Sequence, residues 1–491
     1  MNLYQQNWDL IVVGAGGSGL SAAIHARLGG LNVLVLEKGD DAGGTTAWSV
    51  GSFTASGTSH QKAQGIEDHP DFHFEDMALF NQGKGEVDNL ELRRMLVDAA
   101  PATLHWLMSI GVVFDGPYPE SHHRHPRMHN VIPNSKSFNY HLKKECKRLG
   151  IPIQTKCQVL SLIQDQHRVV GVRATLGARE SLELKAAKGV LLCAGDFAAS
   201  LDLKTQFLGS DMAKGASVNP LATGDGIVLG LQNQAQVLNG PYASALKMRF
   251  VEAPEHWIQK IPPYAWIAKS ITWSLKHLPQ KLIRPFVMKF ITTVLGPEMT
   301  LFRSGAWMVD PKGKIIDTSS DQVVFNLVKS PGNKGFIVFD DTCAKRLQSW
   351  PNFISTAPGI AYAYLGDYES ARKDIFYKSQ RLEDLARQIG VPEDAFCTSL
   401  EGVLDPQSPY FYAMGPVRSY VTITEGGLSI DRNFQVLDEH SKVIEGLYAA
   451  GSNGQGGLLL EGHGHHIAWA FVSGRLAGQC IATTSTQGTP A

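Results

Sequence analysis

The sequence predicts an α/β protein. Its parallel sheet is discontinuous in sequence, and an α+β capping domain is inserted into it. Three observations predict this. Near the start, Asp9-Leu10-Ile11-Val12-Val13 is a short apolar run that ends in glycine, and a second apolar run follows at 32–36 after a small-residue helical stretch. That is a strand, a helix and a strand within the roughly thirty residues such a unit needs. From Gly426 onward a glycine-rich, strand-like texture returns. Between the two, the chain changes character. Residues 253–300 are rich in Trp, Tyr, Ile, Leu, Lys and Pro, and 301–400 mix strands and helices without a glycine loop. The predicted parts are therefore 1–245, the capping domain 246–405, and 406–491, consistent with a chain too long for one typical core.

The elements follow in order. Residues 9–13 read as a buried parallel strand. Residues 18–29 are Ala-rich with helical spacing, and 32–36 form the second strand. The turn between the first strand and the helix reads Gly14-Ala15-Gly16-Gly17-Ser18-Gly19, a G-x-G-x-x-G. Gly14 permits the tight turn, Gly16 lets backbone approach a pyrophosphate, and Gly19 lets helix and strand pack closely. The helix N-terminus attracts phosphate charge. Glu37 ends the second strand, where a carboxylate holds ribose hydroxyls. This is a Rossmann-type dinucleotide site. The small-residue loop 43–59 that follows suits an extended cofactor such as FAD better than a simple nicotinamide enzyme.

Further on, 90–110 read as a helix, 118–134 as a polar, His-rich solvated loop, and 155–193 as a run of strands. Thr223-Gly224-Asp225-Gly226 opens another helix. Gly446 to Gly451 is a strand ending in glycine, and 467–477 form a helix after it. A backbone loop at that helix N-terminus suits the flavin pyrimidine edge, which is negative when reduced.

Composition removes several function classes. Forty-five basic residues against 46 acidic ones give a net charge of -1, which argues against nucleic acid as the main partner. None of the six cysteines forms a C-x-x-C pair, so no simple zinc site, iron–sulfur cluster or c-type haem is expected. No metal is predicted, and the cluster His122-His123-Arg124-His125-Pro126-Arg127-His129 fits no standard ligand spacing. No secretory leader and no bilayer-spanning run are read in the sequence, and a cytoplasmic location is expected.

Taken together, these segments resemble the fumarate reductase/succinate dehydrogenase flavoprotein superfamily, including its 3-ketosteroid dehydrogenase branch. The matching pieces are DLIVVGAGGSG from Asp9, Glu37-Lys38, Gly43-Gly44-Thr45-Thr46, VLLCAGDF from Val190, Thr223 to Gly226, PYFYA from Pro409, Gly426-Gly427-Leu428 and GLYAAG from Gly446. The resemblance implies non-covalent FAD, held by Gly14, Gly16, Gly19, Glu37, Lys38, Gly44, Thr45, Thr46, Ala194, Gly195, Asp225 and Gly451. A covalent histidyl link is not expected, because the loop 43–59 has no His. The flavin ring then lies at the joint between the two domains.

Two branches compete. Fumarate reductases resemble one another in an HTMGG-type segment and in a catalytic Arg after a G-K-R-F-like cap strand. Here the segments read Ile423-Thr424-Glu425-Gly426-Gly427 and Gly313-Lys314-Ile315-Ile316-Asp317-Thr318, with no Arg until Arg346. This counts against a dicarboxylate. Gly462-His463-Gly464 resembles the GHGY-type segment of the steroid branch, with His465 where that branch has Tyr. The leading expectation is therefore α,β-desaturation of a small apolar cyclic or steroid-like ketone. His465 would polarise the carbonyl, and Tyr118 or Tyr420 would serve as a base of lowered pKa. Arg418 would assist the phenolate or hold a carboxylate, and an external quinone, dye or protein would accept the electrons. The alternative is reduction of an activated C=C bond, and a further one is a non-catalytic flavin subunit at a membrane.

Residues 257–294 alternate Trp257, Tyr264, Trp266, Ile271, Trp273, Leu278, Ile283, Phe286 and Phe290 with six basic residues, and prolines 262, 263, 279 and 285 predict several short helices. One reading is a cap insertion packed on its neighbour. The other is peripheral contact with anionic lipid, or a lid over an apolar substrate.

Overall fold

The computed structural model describes residues 7–81, 87–177, 180–243, 246–251, 260–319, 322–357 and 361–484. Trp257 lies outside them. Strand β1 (Trp8–Val13), helix α1 (Gly17–Leu28) and strand β2 (Val33–Leu36) form the expected opening unit. β1 pairs in parallel with β2, Val12 opposite Val35, and with β3 (Glu180–Leu192), Val12 opposite Leu191. β4 (Val443–Ala449) adds in parallel on the far side of β3. The early and late parts of the chain thus complete one sheet. β1 and β2 are almost wholly buried, as a parallel sheet covered on both faces requires.

β3 does two jobs. Its first half pairs antiparallel with Arg168–Leu176, and its second half enters the parallel sheet between β1 and β4. Helix α2 (His465–Thr483) lies across α1. A Cβ at Gly474 would meet the Ser18 carbonyl oxygen at 2.2 Å, and one at Gly478 that of Ala22 at 2.3 Å. Glycine at both positions lets the backbones approach.

A second sheet forms the cap. Phe411–Val421 lies at its centre, bonded to Gly335–Asp340, Lys247–Phe250, Phe376–Ser379 and Ala216–Ser217. This corrects the predicted return at 406. The strand Phe411–Val421 is almost continuously apolar toward the cap core, so the chain leaves that sheet only after Val421.

Three further expectations change. The segment 43–59 contains a short helix, Gly44–Trp48, and a strand, Ser52–Thr54. That strand pairs with Met128–Ile132, which also pairs with Val113–Tyr118. The segment 118–134 is therefore not a solvated loop throughout, and Arg127 and His129 are fully buried. Arg127 is accommodated because Asp68 accepts from Nε and Nη2 and Asp76 from Nη1, at 2.6–2.7 Å. Among the described residues the aromatic–basic stretch forms two helices, separated at Pro279 but not broken at Pro285. They are Ala265–His277 and Gln280–Val294, and Pro285 lies inside the second.

Candidate functional site

The N-terminus of α1 meets the requirements of a pyrophosphate site. Gly16 precedes the helix and has no side chain of its own to cap it. A Cβ at Gly16 would approach only Gly44 Cα, at 4.0 Å, and one at Gly195 would meet nothing within 4 Å. Open space thus lies before the start of α1, between the Gly14–Gly19 turn and the turn at Gly43-Gly44. Gly14 and Gly19 serve the packing behind it. A Cβ at Gly14 would strike the Cys193 carbonyl at 2.4 Å, and one at Gly19 the Gly14 carbonyl at 1.9 Å.

Side chains around this cradle brace one another. Glu37 accepts from the N–H groups of Ala15 and Gly39, at 2.9 and 2.7 Å, so it ties the turn to the end of β2. Thr46 Oγ1 accepts from Gly17 N–H at 3.2 Å, and Thr45 Oγ1 accepts from the Asn219 amide at 3.0 Å. Lys38 pairs with Asp225 at 3.0 Å and also donates to Thr223 Oγ1. The Asn453 side chain accepts from Ala194 N–H at 2.6 Å and donates to the Gly195 carbonyl at 2.7 Å. Gly451 N–H is held by Ser473 Oγ at 2.8 Å.

At the start of α2, two successive histidines meet opposite surroundings. His465 is fully buried. Its Nδ1 lies 2.6 Å from the Glu461 carbonyl, and its Nε2 lies 3.1 Å from His73 Nε2. Nδ1 therefore donates to the carbonyl, and Nε2 accepts from His73. His123 completes a trio whose ligand-capable atoms lie within 4.8 Å of one another. Its Nδ1 accepts from Arg127 Nη1 at 2.9 Å. Burial keeps these rings neutral. It lowers His465 to about 4, lowers His123 to about 2, and pushes His73 well down, and the neighbouring imidazoles and Arg127 add to the effect.

His466 instead donates from Nε2 to Glu425 Oε1 at 2.9 Å, and that carboxylate is fully buried. Glu425 also accepts from the Gln455 amide and from Leu460 N–H at 3.3 Å. Burial opposes both charges. The pair nevertheless holds His466 above its ordinary value and Glu425 below its own. Close by, burial lifts Asp196 to about 6 and lowers Lys204 to about 8.

Across the joint, the cap presents a cationic strand face. Lys247 lies opposite Tyr420, and Arg249 lies opposite Arg418. Side chains directly opposite in an antiparallel pair share a face, as do those two residues apart. Met248, Phe250 and Val417 fill the other face, toward the cap core. Arg418 Nε is buried without a hydrogen-bond partner among the described residues. The charges of Lys247 and of His463, which belongs to the α2 entry loop, both act on Glu298 of the cap.

The family model described as "FAD binding domain" matches residues 9–256 and 376–458, more than half of the chain. The chain belongs to this family. It is an FAD-dependent oxidoreductase, and the cradle described above fits the cofactor. It is 26% identical to a probable fumarate reductase of Shewanella frigidimarina, over 96% of this chain and 74% of that one. It is 24% identical to a vinyl phenol reductase of Lactiplantibacillus plantarum, over 98% of this chain and 97% of that one. Among solved structures, the open conformation of a flavocytochrome c3 fumarate reductase has a TM-score of 0.73 at 24% identity, covering 97% of this chain and 78% of that one. A 3-ketosteroid Δ1-dehydrogenase of Sterolibacterium denitrificans has a TM-score of 0.65 at 19% identity, covering 97% and 99%. The steroid enzyme shares the fold, whereas the sequence relatives are named as reductases.

The flavoprotein's expected catalytic groups divide. Arg418 and Tyr420 stand together on the cationic face. His465 does not reach it in the role expected, because both ring nitrogens are engaged within the protein. Tyr118 is also corrected. Its hydroxyl donates to Asp115 at 2.5 Å, and burial together with that carboxylate raises its pKa, the reverse of what a base needs. Sequence reasoning missed His73, Glu425, Asn453 and the Arg249–Arg418 pairing. A signal for Glu425 was present, since it directly precedes Gly426-Gly427. His73 carried none, because it lies 392 positions from His465.

Proposed function

We propose that this flavoenzyme reduces a C=C bond conjugated to one anionic or carbonyl group, using electrons from an external donor. This replaces the ketone-desaturation expectation, which has only shared fold behind it. The observation that carries the reading is the Arg249–Arg418 pair. Like charges directly opposite in a sheet are unfavourable, and burial already disfavours the Arg249 charge. Two guanidinium groups on one face attract an anion or a developing enolate there. No Arg follows the strand Ile315–Ile316 until Arg346, which favours a single handle over a dicarboxylate.

When bound and reduced, FAD supplies hydride to the carbon distant from the handle. Arg249 and Arg418 hold the handle and draw charge toward it. Tyr420 lies on the same face, with Lys247 opposite it, and gives its phenolic proton to the carbon nearer the handle. The adjacent cations stabilise the phenolate until solvent restores the proton. The Glu425–His466 pair holds the loop before Gly426-Gly427 against the start of α2.

The test is anaerobic flavin oxidation. Dye-reduced protein is mixed with unsaturated carboxylates, a vinyl phenol and a ketosteroid enone. Reoxidation by a conjugated alkene, slowed about a hundredfold or more in Tyr420→Phe with flavin content intact, is expected. Bleaching of oxidised flavin by saturated ketones, with no response to any alkene, overturns the reading.

A further inference from the structure

We propose that the outer face of the helices Ala265–His277 and Gln280–Val294 is a docking surface for an anionic lipid bilayer. The first observation is charge. No Asp or Glu occurs between Glu255 and Glu298, and that interval carries six Lys and Arg in a chain whose net charge is -1. The second is exposure. Trp266 is 69% exposed, Trp273 57%, Leu282 62% and Phe286 54%. Water-facing tryptophans are costly in a soluble surface and favourable at a lipid headgroup boundary.

Spacing places these groups together. Trp266 and Trp273 are seven residues apart and so share a helix face, as do Leu282 and Phe286, four apart. Exposed Lys269 and Lys289 flank them. Trp350 extends the patch. It is 63% exposed and packs on Tyr362, whose carbonyl accepts from Arg284 at 3.4 Å.

The inner side of the first helix is anchored, so the pair is not a swinging lid. The helix rests on the strands Val113–Tyr118 and Met128–Ile132. Lys276 lies 3.8 Å from Asp115, and His141 Nε2 donates to the Pro263 carbonyl at 3.0 Å just before the helix. The apolar residues thus face outward from a fixed platform. Among the described residues no helix is long and apolar enough to cross a membrane, so contact is confined to the surface. Basic residues beside interfacial aromatics match anionic headgroups, whereas a second copy of this chain would bring the same positive charge against itself.

The test is flotation of the full-length protein with phosphatidylcholine vesicles, with and without phosphatidylglycerol. Binding to the anionic vesicles alone, weakened by salt and accompanied by a blue shift of tryptophan emission, is expected. Lys269→Gln weakens it about five-fold, and Trp266→Ser with Trp273→Ser about ten-fold or more. Circular dichroism checks that the variants fold, and flavin content reports the distant cofactor site. Absence of binding to anionic vesicles at low salt overturns the proposal. So does self-association that the tryptophan variants abolish, because the face would then join copies of the chain. The outcome is independent of substrate identity.

Discussion

His465 and His466 are neighbours in sequence and opposites in chemistry. His465 turns into a group of imidazoles, where it must stay neutral to donate from Nδ1 and accept at Nε2. His466 turns toward a buried carboxylate and is held charged. Both stand in the first turn of α2, His465 fully buried and the His466 side chain 17% exposed. What separates them is the partner. Desolvation disfavours the charge on both rings, and only a carboxylate in direct contact reverses it. A row of histidines therefore has no single meaning, because a turn of one helical position exchanges a neutral hydrogen-bonding group for half of an ion pair.

The largest way to break this contrast is Glu425→Gln. The substitution leaves His466 without its counter-charge and sets a second amide donor against Gln455. Removing one partner of a buried pair costs about 3–5 kcal/mol. We expect a loss of that size in urea denaturation of the holoprotein, with His466 titrating below its ordinary value by NMR. A loss under about 1 kcal/mol would show that the pair is solvated and that the contrast with His465 is only apparent.

The same contrast shows what the sequence could convey. The dinucleotide cradle was legible because its parts are local, with Gly14, Gly16, Gly19 and Glu37 within one β-α-β unit. The return of the chain to the parallel sheet through β4 was legible for the same reason. The end of the cap was not, since Phe411–Val421 has the apolar texture of either sheet and only its partners decide. The His-rich segment misled because charge density reads as solvation. Arg127 is buried only because Asp68 and Asp76, more than fifty positions earlier, accept its donors. The partner of His465 was not legible either, since His73 comes from the helix Pro70–Phe80.

The next effect is in pH dependence. His465 and His123 have folded pKa values of about 4 and about 2, below the ordinary 6.5, and His73 is lowered as well. The unfolded chain therefore binds more protons below pH 6.5. Their contribution is present above that pH and is lost as pH falls toward the folded values, at about 1.4 kcal/mol per pH unit for each group. His466 runs the other way. Its contribution is full below 6.5 and fades as pH rises through its raised folded value. Denaturation midpoints followed from pH 8 to 5, in about half-unit steps, should fall steeply on the acid side in wild type. In His466→Gln the acid-side fall should keep its slope, because His466 is protonated in both states below pH 6.5, and the gain in stability from pH 8 down to 6.5 should disappear. A flat profile between pH 6.5 and 5 contradicts a neutral trio.

The smallest effect sharpens the comparison most, because it separates shape from protonation. In His73→Gln the amide N–H reaches toward His465 Nε2 and can replace the donor that His73 Nε2 supplies at 3.1 Å. His465 keeps its acceptor role and its Nδ1–H bond to Glu461. The expected cost is that of one imperfect hydrogen bond, about 1 kcal/mol, with flavin content and turnover retained. His73→Leu removes the donor and leaves His465 Nε2 a buried acceptor with no partner, so it should cost about 1–3 kcal/mol. If glutamine and leucine cost the same, packing rather than hydrogen bonding holds the trio, and the neutrality of His465 follows from burial alone. If glutamine is the milder of the two and His465 Nε2 keeps the nitrogen shift of an unprotonated acceptor in it at pH 5, the ring is neutral because its neighbours require one donor and one acceptor, the condition that Glu425 removes for His466.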